Sequence, residues 1–129
     1  MKFMDESHKK FVEDCLARAG QTDIYHVSLF YVLGISDVCK QHIDDLYDWE
    51  SNCVKKLGEK SGWVTGTSLK IIRLAYNLFS DGCPTAIDIK DPEERCYELL
   101  GYSPTAILSG LEPQAFVYCL EGIRIRYLE

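Results

Sequence analysis

The stretch Trp63-Val-Thr-Gly-Thr-Ser-Leu-Lys-Ile-Ile-Arg-Leu-Ala-Tyr-Asn-Leu-Phe79 reads as a turn, a helix cap and then a helix with very little polar surface. At about 100° per residue, Leu69, Ile71, Ile72, Leu74, Ala75, Tyr76, Leu78 and Phe79 cover roughly 220° of the circumference. Lys70, Arg73, Asn77 and Ser80 fill the remaining narrow stripe. A helix this apolar is packed on several sides. The reading therefore places it, over about residues 67–80, at the centre of an all-α fold, started by Thr67 or Ser68 and closed by Gly82 with Pro84.

Working outward, the same punctuation recurs. Asp5 caps a first helix to about Ala19, with Gly20 as its stop. Asp23 caps a second through Leu33, stopped by Gly34, and Ser36 caps a third carrying Val38, Cys39, His42, Ile43, Leu46 and Tyr47. Between Asp48 and Thr67 the pattern weakens. Asn52-Cys-Val-Lys-Lys-Leu suggests a helical turn, and Gly58, Gly62 and Gly66 punctuate a loop. After the central helix, Ala86-Ile-Asp-Ile alternates like a very short strand. Asp91-Pro92, Ser103-Pro104 and Glu112-Pro113 each place Pro at a first helical position, opening helices to Leu100, to about Leu108 and to about Tyr127. Ile123-Arg-Ile-Arg alternates, but Phe116, Leu120, Ile123 and Tyr127 favour helix. The expectation is a single domain, 1–129, of about five main helices plus one or two short ones.

With 129 residues, 47% apolar and 26% charged, the chain can bury a core and matches neither a disordered nor a membrane-spanning composition. No apolar run reaches the roughly 18 residues a membrane helix needs, and the opening residues carry no apolar signal core. A cytoplasmic setting without membrane contact is expected. The net charge of −6 disfavours unaided phosphate binding and suits a basic partner. The six cysteines never form a CxxC pair, and Cys15 and Cys119 sit on apolar helical faces. They read as reduced, small apolar fillers.

Several constellations are candidates for chemistry, and none completes one. Cys39, His42 and Asp45 stand at i, i+3 and i+6, but one helix rarely supplies enough ligands for zinc, and as a nucleophile pair Cys39 and His42 lack an orienting partner. No metal, cofactor or catalytic residue is assigned. Asp44, Asp45, Asp48 and Glu50 form an acidic patch around Tyr47 and Trp49, at a helix end where acid is mildly unfavourable. Thr65-Gly-Thr-Ser68 lacks the spacing of a phosphate loop. Lys70, Arg73 and Asn77 form the binding candidate, an anion or carboxylate stripe, together with Trp49 and Trp63 as exposed aromatics. Against this stands a structural role: Arg73 held by an internal carboxylate, with Asp44, Asp45, Asp48 and Glu121 on offer, and Asn77 tying down a loop such as 58–66.

Trp63-x-Thr-Gly-Thr-Ser, Arg73-Leu-Ala-Tyr-Asn-Leu-Phe79 and Leu120-Glu-Gly-Ile-Arg-Ile-Arg-Tyr127 resemble an uncharacterised family of small proteins from Gram-positive bacteria, often carried in conjugative transposons and other mobile elements. The resemblance implies a bacterial cytosolic setting and no mechanism. The function expected is a non-catalytic protein-interaction or regulatory role, with homodimerisation as one outcome. The alternatives are nucleic-acid association through Lys55, Lys56, Lys60, Lys70 and Arg73, acidic mimicry of nucleic acid, and an enzyme using Cys39 and His42.

Overall fold

The computed structural model describes residues 1–129. It is helical, as expected. The long helices are α1 (Glu6–Ala19), α2 (Ile24–Leu33), α5 (Gly66–Ser80), α6 (Pro92–Leu100) and α8 (Pro113–Leu128). Three short ones, α3 (Asp37–Gln41), α4 (Ile43–Leu46) and α7 (Pro104–Leu108), join them. Two-residue strands β1 (Tyr47–Asp48) and β2 (Cys53–Val54) pair antiparallel, with Tyr47 opposite Val54. Gly58–Lys60 and Pro84–Ala86 are 3-10 turns. No helix is long and apolar enough to cross a membrane.

The start signals act as the sequence predicts. Asp5, Asp23, Ser36, Asp91 and Ser103 each accept a hydrogen bond from the backbone N–H three residues on. The central helix begins slightly earlier than expected. Thr65 is its cap, and Thr65 and Ser68 close a reciprocal capping box, so Thr67 and Ser68 lie inside the first turn. Its end is set by Asp81, in the left-handed region at φ 57°, and not by Gly82.

Ile71, Ile72, Leu74, Ala75, Tyr76 and Leu78 of α5 are buried, so its apolar arc does face the core. It shares the centre with α2, in which Ser28 to Leu33 are all buried, because α2 packs against α1, α5 and α8 on three sides. Gly122 lets α8 approach α2: a methyl group there would overlap the Val32 side chain.

Three expected elements change. The third helix does not run from Asp37 to Tyr47: it breaks at His42 (φ −116°, ψ 30°), and Tyr47 is extended. Tyr47 is fully buried, its hydroxyl is 3.0 Å from His26 Nε2, and it donates to Asn52 Oδ1 at 3.1 Å. Extended backbone at Tyr47 places its ring among Phe30, His26 and Trp49, which outweighs local helix propensity. Of the expected helical turn at Asn52–Leu57, Cys53–Val54 is instead the partner strand and a turn is kept only at its end, where Gly58 N donates to the Lys55 carbonyl at 2.9 Å. Ala86-Ile-Asp-Ile is not a strand but leaves the Pro84–Ala86 turn.

Candidate functional site

The polar stripe of α5 is where the fold becomes unusual. Lys70 Nζ donates to the Ser109 carbonyl, Asn77 Nδ2 to the Gly82 carbonyl at 2.7 Å, and Arg73 to Glu98 with two bonds. All three donors reach one excursion of the chain, residues 82–109, which leaves α5, forms α6 and α7, and returns. Asn77 does tie down a loop, but the one at the end of its own helix, not residues 58–66. Arg73 is held by internal carboxylates, and they are none of Asp44, Asp45, Asp48 or Glu121.

Those carboxylates form a buried clasp. Arg73 Nε and Nη2 meet Glu98 Oε2 and Oε1 at 3.2 and 2.8 Å, and Nε also lies 3.4 Å from Glu59 Oε2. Both glutamates are buried. The Thr85 hydroxyl donates to Glu98 Oε2 at 2.7 Å, so its contact with the Tyr102 hydroxyl at 2.5 Å has Tyr102 as donor. Two carboxylates facing one guanidinium leave an excess negative charge, which a shared proton relieves. Burial and the neighbouring Glu98 push the Glu59 carboxyl up to about 7. Burial also raises Glu98, but bonds from Glu59, Thr85 and Arg73 outweigh it and hold Glu98 below the ordinary carboxylate range. Glu59 Oε2 is buried without a hydrogen-bond partner, 3.4 Å from Arg73 Nε, and its burial beside Glu98 favours a proton on the Glu59 carboxyl. Gly101 completes the clasp. Its φ of −65° suits any residue, but a methyl group there would lie 2.6 Å from Arg73 Cζ.

The clasp determines how α6 sits. Glu98 is the only buried residue of its nine. Tyr97 is 78% exposed, Leu100 64% and Leu99 45%, and Cys96 is also exposed. The helix is docked inside out, with its carboxylate in the protein and its apolar side in solvent, the reverse of an ordinary surface helix. Between α6 and α7 lies an open hollow of about 270 Å³, lined by Arg73, Tyr97, Leu100, Gly101 and Ala106.

The other candidate residues are held in place within the chain. The Trp49 indole donates to Asp44 at 2.7 Å and carries the Arg18 guanidinium 4.0 Å above its ring. The Trp63 indole donates to Asp45 at 2.9 Å and stacks on His42 at 4.6 Å. Much of the acidic patch therefore anchors the two tryptophans. Cys39 is fully buried, and burial pushes its thiol up to about 11, the opposite of an activated nucleophile. No three His, Cys, Asp or Glu side chains gather as metal ligands. Of the basic residues considered for phosphate, Lys55 donates to the Asp44 carbonyl and Lys56 to Asp88, while Lys70 and Arg73 bond as above. All six cysteines are free, but only Cys15, Cys39 and Cys119 are buried fillers, while Cys53 and Cys96 are exposed.

Glu59, Glu98, Thr85 and Tyr102 escape sequence reading. The period of α6 would bury Leu99 and Leu100 and expose Glu98, so the pattern points the wrong way. The one usable signal is Arg73 itself, a guanidinium on an apolar helix that requires a carboxylate from elsewhere.

No curated protein and no solved structure matches the chain. A family model does match it, over residues 1–129, and the chain belongs to the family of unknown function DUF6075.

Proposed function

We propose that this is a non-catalytic interaction or regulatory protein that presents α6 to a protein partner. The observation that supports the reading is the inside-out docking of α6, which keeps Tyr97 and Leu100 in water while a glutamate occupies the interior. Covering two such side chains returns about 1.5–3 kcal/mol each, enough to make a short helix the centre of an interface. Lys70, Arg73 and Asn77 support the display by fixing residues 82–109, so the stripe acts behind the interface. We further infer a cytoplasmic setting in a Gram-positive bacterium, linked to a mobile element, on the resemblance carried by Trp63–Ser68, Arg73–Phe79 and Leu120–Tyr127.

The test is site-specific photo-cross-linking in cells of the source organism, with p-benzoylphenylalanine in place of Tyr97 or Leu100 and, as control, of the exposed Glu13 on α1. A discrete protein adduct from the two α6 positions and none from Glu13 is the expected result. Adducts of equal yield from all three positions, or from none, contradict the reading.

A second reading is homodimerisation through α8. Its outer face carries Phe116, Val117, Leu120 and Leu128, all exposed, although its inner face is already packed. Sedimentation equilibrium of the wild type and of Leu120→Ser decides it: a dimer that the substitution dissociates supports this reading, and a monomer at all concentrations ends it.

A further inference from the structure

We infer that the partner covering α6 is a basic amphipathic helix. This rests on the reading of α6 as an interface and adds the chemistry of what occupies it. Glu93, Tyr97 and Leu100 stand at i, i+4 and i+7, so one carboxylate and two large apolar side chains share a single stripe. Glu94 and Asp91 add two exposed carboxylates around the helix start.

The nearby cations offset them only in part. Lys90 is exposed beside Asp91, and Arg95 turns its guanidinium back onto the Ile89 carbonyl at 2.7 Å and towards that of Lys90. This leaves three carboxylates against two cations, while Arg73 is matched by Glu98 beneath Gly101. The displayed surface is thus negative at the N-terminal end of α6 and apolar at its C-terminal end. An acidic partner would set like charges together, and a nucleic-acid backbone would meet the same repulsion.

The shape favours a helix as the occupant. The ridge of α6, nine residues, is about 13 Å long. It exposes no unpaired strand edge, so addition of a β-strand is not available. The hollow of about 270 Å³ beside Leu100 and Ala106 receives one large apolar side chain. A partner helix with that anchor, and with Lys or Arg on the flank facing Glu93 and Glu94, meets both halves of the surface at once.

The experiment uses the full chain and two fluorescein-labelled model helices of about 15 residues that share one Leu face, the first with Lys and the second with Glu at every polar position. Binding is read by anisotropy, and its location by amide chemical-shift mapping. The Leu/Lys peptide is expected to bind at least about tenfold more tightly than the Leu/Glu peptide, with shifts concentrated in residues 91–106. Glu93→Lys combined with Glu94→Lys should reverse that preference, and Leu100→Ser should weaken both peptides, with circular dichroism unchanged in each variant. Equal affinities, preference for the Leu/Glu peptide, or no binding of the Leu/Lys peptide overturn the inference. If the Leu/Glu peptide wins and its shifts still lie on α6, only the partner chemistry is wrong. If every shift lies away from α6, the interface reading fails with it. A dimer that Leu100→Ser dissociates would assign the face to a second copy and also overturn the inference.

Discussion

Arg73 is the one side chain on which three distant segments converge: Glu59 from the loop before α5, Thr85 through Glu98, and α6 itself. Removing one partner of a buried ion pair costs more than the pair contributes, because the remaining charge is left without compensation. Arg73→Ala is therefore expected to lower stability by about 3 kcal/mol, read as a shift of the urea midpoint. A variant of unchanged midpoint would show that the clasp holds nothing. Proton linkage gives a second test. The Glu59 carboxyl titrates higher in the folded protein, near 7, than in the unfolded chain, near 4.5. Its contribution to stability is full below 4.5 and is lost as pH rises through 7. Glu98 is shifted down, so its contribution holds at higher pH and is lost in acid. Buried His8 is shifted down by desolvation, so its contribution grows as pH rises, against the Glu59 trend. The Glu59 effect is therefore read as the difference between the wild type and Glu59→Gln, which should shift against the wild type by up to about 1 kcal/mol per pH unit between pH 5 and 8. Parallel profiles of the two proteins would refute the shared proton.

At the scale of elements, the helix boundaries were legible and the orientation of α6 was not. Caps such as Asp91 and Ser103 are local: the bond they make lies three residues away and is written in adjacent positions. The direction in which a helix faces depends on what lies opposite, and Glu98 meets Arg73 and Glu59 across separations of 25 and 39 residues that no periodicity encodes. The break at His42 was hidden for the same reason, since buried Tyr47 answers to His26 and Asn52 and not to its helical neighbours. The apolar arc of α5 was legible because it needs only its own period. Ile72→Ala and Leu78→Ala should each cost about 2–5 kcal/mol by leaving cavities in a packed site. Gly122→Ala separates a packing effect from a helix-propensity effect. Alanine gains about 0.5–1 kcal/mol as a helix former, but its methyl group overlaps Val32, and overpacking costs about 1–3 kcal/mol. A net loss near 1 kcal/mol is expected by thermal or urea denaturation, and a more stable variant would show that α8 sits further from α2.

Across the whole molecule, stability and display are divided. The packed body is α2 with α1, α5 and α8, joined by Ile107 of α7 in the core, while α6 buries no apolar side chain and is tied to that body by the Glu98 clasp. Thiol chemistry should follow that division. Cys53 and Cys96 should be labelled at once in the native protein, whereas Cys15, Cys39 and Cys119 should react only on unfolding. Burial pushes these three thiols up to about 12, 11 and 12, respectively. Mass spectrometry of a timed alkylation distinguishes the two classes, and simultaneous labelling would contradict the burial pattern. The division is tested most directly by native-state amide hydrogen exchange, comparing the wild type with Glu98→Gln. If α6 is held chiefly by its clasp, the amides of Arg95–Leu100 should exchange by a local opening well below the global unfolding energy, and the substitution should lower that opening energy further while α2 and α5 keep their protection. Exchange of α6 only through global unfolding, unchanged by Glu98→Gln, would mean that α6 is an integral part of the core and not a presented helix.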